Sequence, residues 1–239
     1  MAVIHLGELA ITATRKAVKH THLSVHPPHG RVTLVAPLST RTEVMRAYAI
    51  SKLGWIRRQQ AQFRQQAREA PRRYVTRETE RVWGKRYLLR VDHADARPAI
   101  TLDHHEMTLR VRPGSDREAR TAVVQAWYRA QLHAAIPKLI ARWEPCLHVR
   151  VERYFLQRMK TKWGSCNPRA RHIRLNTELA RKPRPLLEYV VVHEMLHLIE
   201  PRHSERFIAL LDRHYPVWRN ARAELNALPL GAELIRASL

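Results

Sequence analysis

The sequence predicts an α+β protein. A β-rich, basic N-terminal region with one long helix spans residues 1–113, and a domain over 114–239 sets antiparallel strands next to a His-Glu-x-x-His helix. Three observations carry this. Apolar and polar residues alternate through the first forty positions and again from Arg81 to Pro113, as in half-buried strands. The last third has helical apolar spacing in PLLEYVVVHEMLHLIE, SERFIALLDRHY and PVWRNARAELNAL. Pro113-Gly114 marks a turn and the boundary between the two regions.

The elements follow in order. HLSVHPPHGRVTLVAP alternates on both sides of Pro27-Pro28-His29-Gly30, predicting a hairpin. Thr40 and Glu43 form a capping box for a helix from Arg41 to about Glu69. The second half of that helix carries six arginines and one acid, with Trp55 and Phe63 between them. A solvated face and an anion-binding face explain that pattern equally well. RVWGKRYLLRVDH, AITLD and MTLRVRP read as strands. Ser115 and Glu118 make a second capping box, opening a helix with a kink expected at Pro137. ERYFLQRMKTKW and RHIRLNTEL then read as strands joined by a polar loop, GSCNPRARH. No internal repeat or low-complexity tract is visible.

Charge and composition narrow the class. The chain has 239 residues, 45% hydrophobic, with 7 Gly and 14 Pro, which excludes a disordered tail or a collagen-like repeat. Its net charge is +22, from 35 arginines and eight lysines against 21 acids. Arginine grips phosphate and carboxylate with a planar fork, so the excess fits anionic partners such as DNA, and equally a genomic compositional bias. Two cysteines, Cys146 and Cys166, exclude a disulfide scaffold and suit a reducing compartment. No signal-peptide pattern and no apolar run of about 18 residues occurs, so a soluble, cytoplasmic protein without membrane contact is expected.

The chemistry concentrates at His193-Glu194-Met195-Leu196-His197. Histidines four apart on a helix differ by about 40° around its axis, so both imidazoles can share a metal. Glu194 is turned about 100° away, where it holds a metal-bound water without ligating. Burying these groups in an apolar helix is costly without a purpose. A catalytic zinc takes three protein ligands and keeps one open position. Glu200 is one candidate for the third, but lies about 10 Å from His193 along a straight helix. His203 follows Pro201, where the chain bends back, and its spacing matches three-histidine zincins, so it is preferred. Glu200 also occupies the place of the turn glycine in metzincins, a departure from their pattern. Ser204 then reads as the cap of the next helix.

RMKTKWGSCN, HIRLNTELARKP and LEYVVVHEMLHLIEPRHSERF resemble the YgjP-like metallopeptidase family, related to the SprT-like zincins, and the likeness extends into VWGKRYLLRV and HYPVWRNARAELNAL. The resemblance implies a zincin-like α+β catalytic domain, one Zn2+ held by His193, His197 and His203, and Glu194 as general base. It also brings a second activity, nucleotide pyrophosphatase action on UTP. Three readings follow. The first is a zinc-dependent metallopeptidase acting on protein or peptide, near nucleic acid. The second is a metal-dependent UTP pyrophosphatase. The third is a nucleic-acid-binding protein with a structural metal. Zincins offer an edge strand to an extended peptide, here placed at HIRLNTEL, with Asn176 and Ser165 as candidate substrate contacts. Cys166 is expected to be a small polar turn residue.

Overall fold

The computed structural model describes residues 2–26, 30–65, 72–159 and 162–227. Two compact units divide between residues 68 and 69.

In the first unit, β1 (Ala2–Leu6), β2 (Leu9–Lys16), β3 (His22–His26) and β4 (Arg31–Pro37) form one sheet in the order β1-β2-β4-β3. The β2–β4 pair is parallel and the two outer pairs are antiparallel. The expected pairing of β3 with β4 is present, and residues 27–29 of its turn lie outside the described residues. Alternate residues Ile11, Ala13, Val32, Leu34 and Ala36 point to one face and are buried under Met45, Ala49 and Ile56.

Those last three sit on α1 (Thr42–Ser51) and α2 (Leu53–Gln65), where one long helix was expected. Ser51 and Gly54, both weak helix formers, flank the break, and the Ser51 hydroxyl donates to the Tyr48 carbonyl 2.8 Å away. The Thr40–Glu43 capping box does not form. Arg41 is the N-cap without a side-chain bond, and Arg15 donates to both the Thr40 carbonyl and the Thr42 hydroxyl. Of the basic stretch, Arg57 and Arg58 are exposed beside Ile56, while the side chains of Phe63 and Arg64, and residues 66–71, lie outside the described residues.

The second unit repeats the sheet. β5 (Thr79–Val82), β6 (Lys85–His93), β7 (Ala99–Leu102) and β8 (Glu106–Val111) take the order β5-β6-β8-β7, with the central pair parallel and both outer pairs antiparallel. In each unit the first two strands are joined by a two-residue turn containing a positive-φ glycine, Gly7 or Gly84, and a helix follows the last strand. No repeat was expected from the sequence. The likeness is one of backbone pairing, with Thr33-Leu34 and Thr108-Leu109 as the matching residues on β4 and β8.

The helix after β8 is α3 (Arg117–Leu147), which runs on through Pro137 and Pro145. Its cap is Asp116, accepting from the Ala119 N–H at 2.8 Å, because Ser115 turns back to donate to the Arg112 carbonyl. Val124, Tyr128, Leu132 and Ile136 bury one stripe of α3. They share one hydrophobic cluster with Leu89, Met107, Leu109 and Val111. That shared core places the division near residue 68 rather than at Pro113-Gly114.

A smaller sheet carries β9 (Arg153–Gln157), β10 (Gly164–Asn167) and β11 (His172–Asn176), in the order β10-β11-β9. It is mixed: β10–β11 is antiparallel and β11–β9 parallel. Gly164–Asn167, expected to be loop, is therefore an edge strand, and Cys166 is a half-buried strand residue. A 3-10 helix (Thr177–Arg181) leads into α4 (Arg184–Leu196), followed by α5 (Glu205–His214) and α6 (Trp218–Ala227).

The entry to α4 is pinned from below. Trp83 and Gly84 donate their backbone N–H groups to the Ala180 and Arg181 carbonyls. Glu80, fully buried, pairs with Arg181 and with Arg72 at 3.2 Å, and lies 3.0 Å from the Tyr128 hydroxyl. Arg181 also stacks over the Tyr128 ring at 4.2 Å and donates to Tyr74. No helix among the described residues is long and apolar enough to cross a membrane.

Candidate metal centre

Apolar residues on most sides of α4 make it a core helix, started by Pro183 as N-cap with Pro185 in the first turn. Leu186, Val190, Val191, Val192 and Met195 are buried, and Glu194 is buried with them at 5% exposure. The helix stops at Leu196, so His197 is its C-cap rather than an interior residue. The chain then turns through Leu198–Glu200 and Pro201, and Ser204 caps α5 by accepting from Phe207 N–H, as expected.

That turn brings His203 back over the helix. Its Nε2 lies 3.0 Å from Nε2 of His193 and 3.1 Å from Nε2 of His197. Two nitrogens on one tetrahedral zinc with bonds of about 2.05 Å stand about 3.3 Å apart, so the three imidazoles fit a single ion. Among the described residues these are the ones whose donor atoms cluster in this way. Glu200 stands outside the cluster and acts through its backbone. Its carbonyl lies 3.0 Å from His197 Nδ1, which leaves Nε2 of that ring to face the metal position. His193 Nδ1 is buried without a hydrogen-bond partner among the described residues.

Phe207 forms the floor of the cluster. It is fully buried, stacks on His197 at 4.6 Å between centroids, and meets His193 and His203 edge-on at 5.0 and 4.9 Å. Sequence reasoning overlooked it. The available signal was the Ser204 cap, which turns the first apolar residue of α5 inward.

Burial dominates the electrostatics. It lowers His193 to about 3, helped by the charges of His197, His203 and Arg222, and it also lowers His197 and His203. Neutral imidazoles keep their lone pairs free for a metal. Burial pushes the Glu194 carboxyl up to about 8, against a downward pull from Lys162.

A pH dependence follows for the chelated, metal-free protein. The folded His193 takes its proton far below the usual imidazole range, so its contribution is full above about pH 6.5 and is lost as pH falls toward about 3. Calorimetry should show the melting temperature falling over that window, by up to about 1.4 kcal/mol of stability per pH unit for one such group. A flat profile there would contradict neutral burial.

The cleft beside the cluster has a volume of about 680 Å³. Its walls include Gly164, Ser165 and Cys166 of β10 and Tyr189 of α4. A Cβ on Gly164 would come within 2.7 Å of Glu194 Cγ and 2.8 Å of Cδ, so only glycine lets the carboxyl lie flat against β10. Gly164→Ala is expected to displace Glu194 and destabilise the fold by about 1–3 kcal/mol while metal content holds, measured by calorimetry beside elemental analysis. Cys166 stands outside the cluster of donor atoms, and burial, then the charge of Glu194, push its thiol up to about 12.

Ser165 stands in the cleft wall, but Asn176 does not. It is fully buried, and its amide donates to the Met159 and Lys162 carbonyls and accepts from Glu178 N–H. Asn176 thus anchors the segment entering β10 and is out of reach of a substrate. The edge expected at β11 is not free. β11 is hydrogen-bonded on both sides, so the free edge beside the cleft belongs to β10.

The three converging imidazoles, with a buried carboxyl beside them, can hold a single metal ion. A model of the YgjP-like metallopeptidase domain matches residues 21–228, and the chain belongs to that family, as its motifs led us to expect. Among solved structures, the metallopeptidase zymogen abylysin of Pyrococcus abyssi is 15% identical, with a TM-score of 0.35, over 38% of this chain and 90% of that one. The jannalysin zymogen of Methanocaldococcus jannaschii is 18% identical, with a TM-score of 0.34, over 38% and 92%. No curated protein matches the chain.

Proposed function

We propose that this protein is a zinc-dependent peptidase in which His193, His197 and His203 hold the metal and Glu194 is the general base. The observation that carries the reading is the convergence of three Nε2 atoms beside a carboxyl that Gly164 holds against an edge strand. Zinc supplies Lewis acidity and brings the pKa of a bound water toward about 7. An extended peptide adds to the free edge of β10, with Ser165 in the adjoining wall. Glu194 takes a proton from the attacking water and returns it to the departing amine. A closed structural site takes four protein ligands, and the described residues bring three.

A second reading has one observation behind it. Lys162 and Arg222 both line the cleft, which suits a nucleoside triphosphate such as UTP. Cleavage of an unfolded protein and of UTP, each with and without chelator, separates the two. Chelator-sensitive proteolysis with UTP intact is expected, and cleavage of UTP alone would overturn the peptidase reading.

DNA is proposed as a partner of the first unit. In and next to its helices Arg41, Arg46, Lys52, Trp55, Arg57 and Arg58 are exposed, a composition that suits salt-dependent contact with phosphates and stacking on bases.

A further inference from the structure

Arg222 has no part in the proton transfer described above. On α6, Trp218, Ala221 and Leu225 are buried, and Arg222 stands four residues after Trp218 and three before Leu225. That spacing sets it on the strip whose residues line the cleft, and it lines the cleft with them. It is exposed and has no ion pair or hydrogen bond among the described residues. Arg219, one position after Trp218, is instead held by Asp212, with Nη2 3.2 Å from Oδ2. Arg222 thus faces the same cleft as His193, Glu194, His197 and His203, and Lys162 lines that cleft from the segment before β10. The cleft therefore has two cations in its walls, one on α6 and one just before β10.

We infer that Arg222 donates to the substrate oxygen that gains charge during hydrolysis, an inference that rests on the peptidase reading. Water oxygen bonds to the carbonyl carbon, one water proton passes to Glu194, and the C=O π pair moves onto the carbonyl oxygen. The C–N bond then breaks, its electron pair goes to nitrogen, and nitrogen takes the proton from Glu194, leaving an acid and an amine. Between those events the oxygen is negative and has no proton of its own. A guanidinium is always charged and only donates, so it favours that oxygen over the neutral carbonyl it came from. Stabilisation of this kind raises kcat more than it lowers KM.

The test compares Arg222→Met and Arg222→Lys with wild type on a peptide cleaved by the wild type, with metal content and melting temperature measured on each. Arg222→Met is expected to lower kcat by about 10²–10³-fold with KM within about threefold and metal and melting unchanged, and Arg222→Lys to recover part of the loss. A phosphinic peptide, whose tetrahedral phosphorus carries a charged oxygen, should bind Arg222→Met more weakly in calorimetry by a similar factor, while the cleaved product binds equally. Unchanged kcat and phosphinic affinity would make Arg222 a solvated surface cation and overturn the inference. A loss confined to KM for peptides with an acidic side chain or a free carboxyl end would make it a carboxylate anchor and overturn it too. A metal-loaded wild type inert on every peptide would instead sink the peptidase reading beneath it.

Discussion

Glu194→Gln is expected to abolish peptide hydrolysis, by about 10³-fold or more, while the metal stays bound. Glutamine keeps the shape of the side chain, so the packing against Gly164 survives, but it cannot accept the proton of the attacking water. Its amide donates where the carboxylate accepted. A second readout separates lost chemistry from lost folding. Burial holds the Glu194 carboxyl near 8 in the metal-free protein, far above its unfolded value. Its contribution is therefore full below about pH 4.5 and is lost as pH rises through about 8, because ionisation in the fold is penalised. Glutamine removes that penalty, so the chelated variant should melt several degrees higher than chelated wild type at pH 8–9. An inactive variant that melts lower would point to a damaged fold instead.

Arg181→Met is expected to cost about 3–5 kcal/mol, because it leaves the buried Glu80 carboxylate short of its closest cation. For a domain of this size that corresponds to a fall of roughly 10 °C in melting temperature. The loss should spread to the metal site. Arg181 ends the 3-10 helix that delivers the chain to α4, so a loosened Arg181 loosens the start of the helix carrying His193 and Glu194. Thermal melts of Arg181→Met, Glu80→Met and the double variant measure the coupling. The double variant should recover much of the loss, since methionines of similar volume leave no charge unpaired. Additive losses would show that the pair acts independently.

The residues that converge were legible in the sequence because their spacing is itself geometric. Four residues on a helix align His193 with His197, and Pro201 obliges the chain to turn before His203. What the sequence hid depends on partners far along the chain. Gly164–Asn167 is four residues rich in turn formers, and it becomes a strand only because β11 supplies the pairing. β11 was expected to be an edge and is not, for the same reason: it reads as a strand, but nothing local says that β9 and β10 cover both its sides. Asn176 has the composition of a binding residue, yet its amide is consumed by two carbonyls fourteen and seventeen positions away. At the helix starts, Arg15 claims the Thr40 and Thr42 oxygens from a distant strand, and Asp116 displaces Ser115 one residue away. The repeated sheet escaped notice because strand order and pairing sense are backbone properties that very different side chains support.

The most direct test of the central claim is the metal stoichiometry of purified wild type and of His203→Ala, by native mass spectrometry with elemental analysis. One zinc per chain in the wild type, and its loss or marked weakening in His203→Ala, is the expected result. Wild type that takes up no zinc when the ion is supplied, or His203→Ala that binds it as tightly as wild type, would contradict a centre built from His193, His197 and His203.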